Sequence, residues 1–165
     1  MKRLISMLCS ILLVLSCFVF APCVNAAEDE SFEELVLVSE NVEYLEDGSF
    51  IITTVYEEVV TTRSNLYTKT GTKERVYTDA DGNIVWSLTV YGEFQVIEGA
   101  SVTCTSARSS ATIYDSEWEC VTQYAYVSGN QAIAHGEFQR KLLGVVISSR
   151  TVDVTLSCDP YGNLY

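Results

Sequence analysis

The chain has 165 residues, with 22 Asp and Glu against ten Lys and Arg and a formal net charge of −12. Its hydrophobic share of 48% is too high for a disordered acidic tail and enough for a packed core. The charge excludes nucleic acid as a partner, because phosphate binding needs a basic patch.

Residues 1–26 read as a secretory signal peptide. Lys2 and Arg3 supply the positive start, Leu4 to Phe20 is almost wholly apolar, and Val24-Asn25-Ala26 is a small-x-small cleavage site before Ala27. A membrane anchor needs about 20 apolar residues, and Ser6, Cys9, Ser10, Ser16 and Pro22 dilute this stretch. A lipid-modified Cys17 is the alternative, but the apolar run continues past it, which favours simple cleavage. The expectation is a secreted, extracellular protein with no membrane attachment after cleavage. Lys2 and Arg3 are two of the ten basic residues, so the mature chain keeps eight against 22 and carries −14. Eleven of its carboxylates fall between Glu28 and Glu58, with no Lys or Arg among them. This acidity reads as solubility, with docking to a basic partner or to wall-bound cations as the sharper alternative.

Residues 27–33 read as a flexible acidic N-terminus, and 34–165 as a single β-domain. "ELVLVS" (Glu34–Ser39) is a short apolar run, and "FIITTVYEEVVTT" (Phe50–Thr62) is dense in β-branched and aromatic residues. "LYTKTGTKERVYT" (Leu66–Thr78) is more polar and reads as an edge or solvent-facing strand. In "NIVWSLTVYGEFQVI" (Asn83–Ile97), Trp86, Leu88, Val90, Phe94 and Val96 share one face. Ser101–Tyr114, Glu117–Val127, Gln131–Lys141 and Val145–Cys158 complete the set. Turn residues join them at Asp79–Asn83, Glu98–Ala100, Ser128–Asn130 and Leu142–Gly144. About eight strands with short connections predict an antiparallel meander, closed as a β-sandwich or small barrel.

"GEFQ" occurs at Gly92–Gln95 and again at Gly136–Gln139. The match stops at its ends, so it reads as strand geometry, with coincidence as the alternative, and not as duplication. A glycine inside a strand marks a bend or the close approach of another backbone, and the phenylalanine two residues on fills the space beside it. A catalytic carboxylate pair through Glu93 and Glu137 lacks a second catalytic group nearby.

Cleavage leaves three cysteines, Cys104, Cys120 and Cys158. If Ser101–Tyr114 and Glu117–Val127 form a hairpin turning near Asp115-Ser116, Cys104 lies opposite about Tyr126. That is roughly 20 Å along the strand from Cys120, too far for a disulfide, which needs Cα atoms within about 7 Å. Carried through the later turns, the ladder brings Cys158 to the level of Val127–Asn130, near Cys104. The expectation is a Cys104–Cys158 bridge, with Cys120 a free, buried thiol beside Trp118, and pairing of Cys120 between molecules as the alternative.

From Tyr77 onward the chain resembles an uncharacterised family of small secreted β-rich proteins of anaerobic Gram-positive bacteria. The resemblance rests on a strand with Trp86, Gly92 and Phe94, on "CTSA" (Cys104–Ala107), Trp118, "SGN" (Ser128–Asn130), "TLSC" (Thr155–Cys158) and "GNL" (Gly162–Leu164). It implies secretion and a β-rich fold, and no activity. Cys120 departs from the family pattern.

No enzymatic motif is present: no phosphate-cradling glycine loop, no Gly-x-Ser-x-Gly and no His-Glu-x-x-His. His135 is the only histidine and reads as a strand side chain facing water. "DADGN" reads as a turn, since the rest of a calcium loop is missing. The expectation is a non-catalytic binding or surface-interaction module with no metal and no cofactor. Its partner would be a glycan, a cell-wall component or another protein. Ten tyrosines and two tryptophans supply amphipathic contact groups. Tyr114, Tyr124, Tyr126 and Tyr161 are the candidate ligand contacts, and if several of them share an exposed face, carbohydrate is a natural ligand. A secreted inhibitor or hydrolase is the remaining alternative.

Overall fold

A computed structural model describes residues 35–58 and 64–165. The expected signal peptide, its cleavage site and the acidic segment 27–33 lie outside the described residues. Eight strands follow in order: β1 (Leu35–Tyr44), β2 (Phe50–Glu58), β3 (Leu66–Thr78), β4 (Ile84–Ile97), β5 (Ser101–Ile113), β6 (Trp118–Ser128), β7 (Gln131–Leu142) and β8 (Val145–Ser157). All adjacent pairs are antiparallel, and they form two sheets, β1-β2-β3-β4-β5 and β6-β7-β8. The described residues hold no helix and no closed barrel. The expected meander breaks once, between β5 and β6. These strands do not form the anticipated hairpin ladder, because the chain turns a corner at Tyr114–Glu117 and passes from the larger sheet to the smaller. The first strand runs on to Tyr44, past the polar "ENVEY" that the alternation did not mark as strand.

The two sheets are joined by the inner face of β4. Trp86, Leu88, Val90, Phe94 and Val96 are all fully buried there, on the one face that alternation assigns them. From the smaller sheet come Ala132, Ala134 and Phe138 of β7 and Val152, Val154 and Leu156 of β8. The Trp86 and Phe138 rings stack at 4.1 Å with planes 5° apart, and Tyr77 stacks on Trp86 at 5.1 Å. The Arg150 guanidinium closes this ladder, 4.5 Å from the Tyr77 ring centre, and donates to the Tyr77 hydroxyl and to Asp47 of the β1–β2 turn.

β3 is not the edge or solvent-facing strand that its polarity implied. It lies between β2 and β4. Its inward side carries Lys69, Lys73 and Arg75, opposite Phe94, Val90 and Leu88 of β4. Lys69 is neutralised by Glu57 at 2.8 Å and Arg75 by Glu43 at 3.0 Å. These charges are tolerated because the three-stranded sheet does not cover the whole five-stranded one. β8 packs over β3 and β4, while β1 stays exposed along its length.

The repeated Gly-Glu-Phe is one packing device used twice across the core. A Cβ at Gly92 would stand 2.8 Å from the Phe94 ring and 2.9 Å from the Ala132 Cβ of β7. A Cβ at Gly136 would stand 2.9 Å from the Phe138 ring and 3.0 Å from Leu88 of β4. Ala132 precedes Gly136 by four positions, and Leu88 precedes Gly92 by four. Each glycine thus admits its own phenylalanine and the facing strand. The neighbouring strand bulges by one residue at each place. Phe94 pairs with Cys104 while Glu93 pairs with Ser106, leaving Thr105 extra; Phe138 pairs with Cys120 while Glu137 pairs with Thr122, leaving Val121 extra. Each phenylalanine is thus matched to a cysteine, Cys104 on the following strand and Cys120 on the preceding one. Because the cysteine strand follows the motif once and precedes it once, duplication of a hairpin in chain order does not generate the pattern.

Candidate binding face

Alternation along β6, β7 and β8 sends one set of side chains to the core and the other to the outer surface of the smaller sheet. The register puts Tyr126 opposite Ile133 and Tyr124 opposite His135. It also puts His135 opposite Asp153 of β8. The result is a row across three strands. The Tyr124 and Tyr126 rings lie 6.1 Å apart. The Tyr124 ring stacks on the His135 imidazole at 4.8 Å with planes 25° apart. His135 Nδ1 meets Asp153 Oδ1 at 2.7 Å. Tyr124 and Tyr126 are about half exposed, at 50% and 46%. The imidazole is fixed from both sides, so it presents its remaining edge in a set orientation beside two aromatic faces. Apolar ring faces flanked by a histidine, a carboxylate and the hydroxyl of Thr155 match the alternating C–H and O–H surfaces of a sugar.

The other two candidate tyrosines do not join this row. Tyr114, 58% exposed, follows β5 at the corner into β6, and its backbone N–H donates to Val85. Tyr161, 68% exposed, belongs to the turn after β8, and its carbonyl accepts from the Tyr67 hydroxyl. It lines a separate polar hollow of about 380 Å³ with Tyr67, Glu98 and Asn163. Sequence reading missed His135 and Asp153 as members of the row. The alternation that places Tyr124 and Tyr126 on one face gives no register across strands, and the register is what brings His135 beneath Tyr124.

The structure holds Cys104, Cys120 and Cys158 as thiols, without the expected bridge. Each sulfur donates to a nearby carbonyl: Cys104 to Ser106, Cys120 to Thr122 and Cys158 to Asp159. The backbones of the expected pair nevertheless meet at the β6–β7 turn. The Cys104 N–H donates to Gly129 and the Cys158 N–H to Asn130. Burial, with Asp159 adding to it, pushes the Cys158 thiol up to about 11, so it is no nucleophile at neutral pH. Cys120 is half-buried on the inner side of β6, on the opposite face from His135, so the two do not form a Cys–His pair. Glu93 and Glu137 lie on the outer faces of different sheets and do not form a carboxylate pair. Glu93 faces Arg108 at 3.7 Å, and Glu137 accepts from Gln139. Among the described residues no three His, Cys, Asp or Glu gather as a metal cage. Comparison of the chain with protein-family models, with curated proteins and with solved structures finds no match.

Proposed function

We propose that the protein is a secreted, non-catalytic binding module whose outer β6–β7–β8 face takes a carbohydrate. The observation that carries this reading is the Tyr126–Tyr124–His135–Asp153 row. It is solvent-facing, rigidified by stacking and hydrogen bonding, and flanked by hydroxyl groups. Export is supported by the basic, apolar and small-x-small order of the first 26 residues. The same reading assigns the chain to the small secreted proteins it resembles, and assigns it no cofactor.

The reading includes a Cys104–Cys158 disulfide formed after export. Support comes from their attachment to consecutive residues of one turn and from their burial. Bridging requires both sulfurs to turn away from Ser106 and Asp159. Cys120 stays reduced, because Phe138 and the Val121 bulge hold it in a different part of the ladder.

Capture of the mature protein on immobilised bacterial wall fragments and host glycans tests the function. The wild-type chain should be retained by at least one saccharide, and the Tyr124→Ala/Tyr126→Ala double variant should not, while both melt at similar temperatures. Equal retention of the two proteins, or retention of neither, would remove the row as a sugar site.

A further inference from the structure

A groove of about 520 Å³ runs between the inner face of β1–β3 and the edge of β8, within the range of roughly 300–1,000 Å³ typical of ligand sites. Ser39, Asn41 and Thr53 form its polar floor, Lys73 and Arg75 supply cations, and Asp153 and Thr155 form its wall. We propose that this groove seats an extended, carboxylate-bearing peptide strand from a partner protein, which adds to β8 as a fourth strand of the smaller sheet and sets its carboxylate against Lys73.

The backbone supports a peptide. β8 pairs with β7 on one side, and among the described residues no strand pairs with its other edge. The chain itself shows that this edge accepts an antiparallel strand. After the turn at Asp159–Asn163, Tyr165 exchanges two backbone hydrogen bonds with Ser157, at 3.0 and 3.1 Å. Strand alternation then turns the N–H and C=O groups of Thr155 and Asp153 toward the same edge, unpaired among the described residues. Tyr165 lines the groove at its head, so a guest strand would seat beyond it, opposite these two residues. Adding a strand to an exposed edge is an established mode of peptide recognition, in which the ladder gives affinity and the pockets beneath give selectivity.

The charges support a carboxylate. Arg75 already faces Glu43, and Asp153 already faces His135. Lys73 is half-buried and makes no ion pair among the described residues. The Nε of Arg75 is buried without a hydrogen-bond partner. Burial first, and the neighbouring Arg75 second, hold the Lys73 ammonium below its ordinary value. An incoming carboxylate would offset both effects. Glu43 and Asp153 also line the groove, but Lys73 is its one cation without an ion-pair partner among the described residues, so an acidic side chain is favoured beside it.

The test uses the mature chain and three labelled hexapeptides of alternating Thr and Val that carry a central Glu, Gln or Lys. A fourth probe is the Glu peptide N-methylated at alternate amides. Fluorescence anisotropy gives affinity, and amide NMR shifts of Asn41, Thr53 and Lys73, with Tyr124 and Tyr126 unmoved, give location. The Glu peptide should bind about tenfold tighter than the Gln peptide, the Lys peptide weakest, and N-methylation should abolish binding. Lys73→Gln and Lys73→Met should each erase the Glu–Gln difference, while Tyr124→Ala/Tyr126→Ala leaves it intact. The last result separates this site from the sugar face. Binding that survives N-methylation, indifference to the central residue, or no binding of any probe at about 1 mM overturns the proposal. So does a uronate oligosaccharide that shifts Asn41, Thr53 and Lys73 when no peptide does.

Discussion

Adding one carbon at Gly92 tests whether the repeated Gly-Glu-Phe is a packing device. The methyl introduced by Gly92→Ala would meet two atoms of the Phe94 ring at 2.8 and 2.9 Å and the Ala132 Cβ at 2.9 Å. Phe94 and Ala132 are both fully buried, and the Ala132 Cβ is fixed to the β7 backbone, so neither moves freely. Overpacking of this kind costs about 1–3 kcal/mol. Against it stands the gain from a stiffer unfolded chain, about 0.4–1 kcal/mol for Gly→Ala where the backbone allows it. The clash wins, and Gly92→Ala should destabilise by about 1–2 kcal/mol. Gly136→Ala meets the Phe138 ring at 2.9 and 3.3 Å and the far end of the Leu88 side chain at 3.0 Å, with no backbone-fixed Cβ like that of Ala132, and should cost less. Urea unfolding followed by the fluorescence of buried Trp86 and Trp118 measures both. Ala132→Gly placed on Gly92→Ala should couple by at least about 0.5 kcal/mol in a double-mutant cycle. A Gly92→Ala protein more stable than wild type would refute the reasoning, because the entropic gain would then act without a clash.

The thiols make a prediction in pH. Reduced Cys158 has its thiol raised from the ordinary 9.0 to about 11, so the stability it contributes is complete below pH 9 and is lost as pH rises through 11. The loss should approach about 2–3 kcal/mol in reduced protein and be absent from protein in which Cys104 and Cys158 are bonded. Peptide mapping without reduction should find that pair in exported protein, where the bridge adds about 2–4 kcal/mol; a Cys120–Cys158 peptide would contradict it. At the β7–β8 hairpin, Leu143 is 97% exposed at φ 53° and precedes Gly144 at φ 80°. Leu143→Asn supplies the Asn-Gly pair that such turns prefer and should raise stability by roughly 0.5–1 kcal/mol in thermal melts; a lower melting temperature would count against the turn. Mass spectrometry of exported protein should place Ala27 first, and a lipid-modified Cys17 would remove the soluble reading.

Strand positions were legible because alternation is a local signal. The inner face of β4 could be written down from Trp86 to Val96 alone. Sheet partition was not, because the corner at Tyr114–Glu117 looks in sequence like any hairpin turn. The polarity of β3 misled for a related reason: Lys73 and Arg75 signal an open inner surface, which a central strand has wherever the facing sheet is narrower. The Gly-x-Phe motifs announced a close approach, but their partners Ala132 and Leu88 depend on how the sheets stack. The Tyr126–Tyr124–His135–Asp153 row followed the same rule. Tyr124 and Tyr126 were visible as a pair on one strand, whereas His135 and Asp153 joined them only through registers set by the Val121 bulge and by the β7–β8 turn.

Amide and side-chain NMR of the mature protein during titration with a panel of neutral oligosaccharides tests the central claim most directly. Binding at the outer face of the smaller sheet predicts saturable shifts at Tyr124, Tyr126, His135 and Asp153, with Ser39, Asn41 and Lys73 unmoved. Shifts confined to the β1–β3 side, or none across the panel, would contradict it.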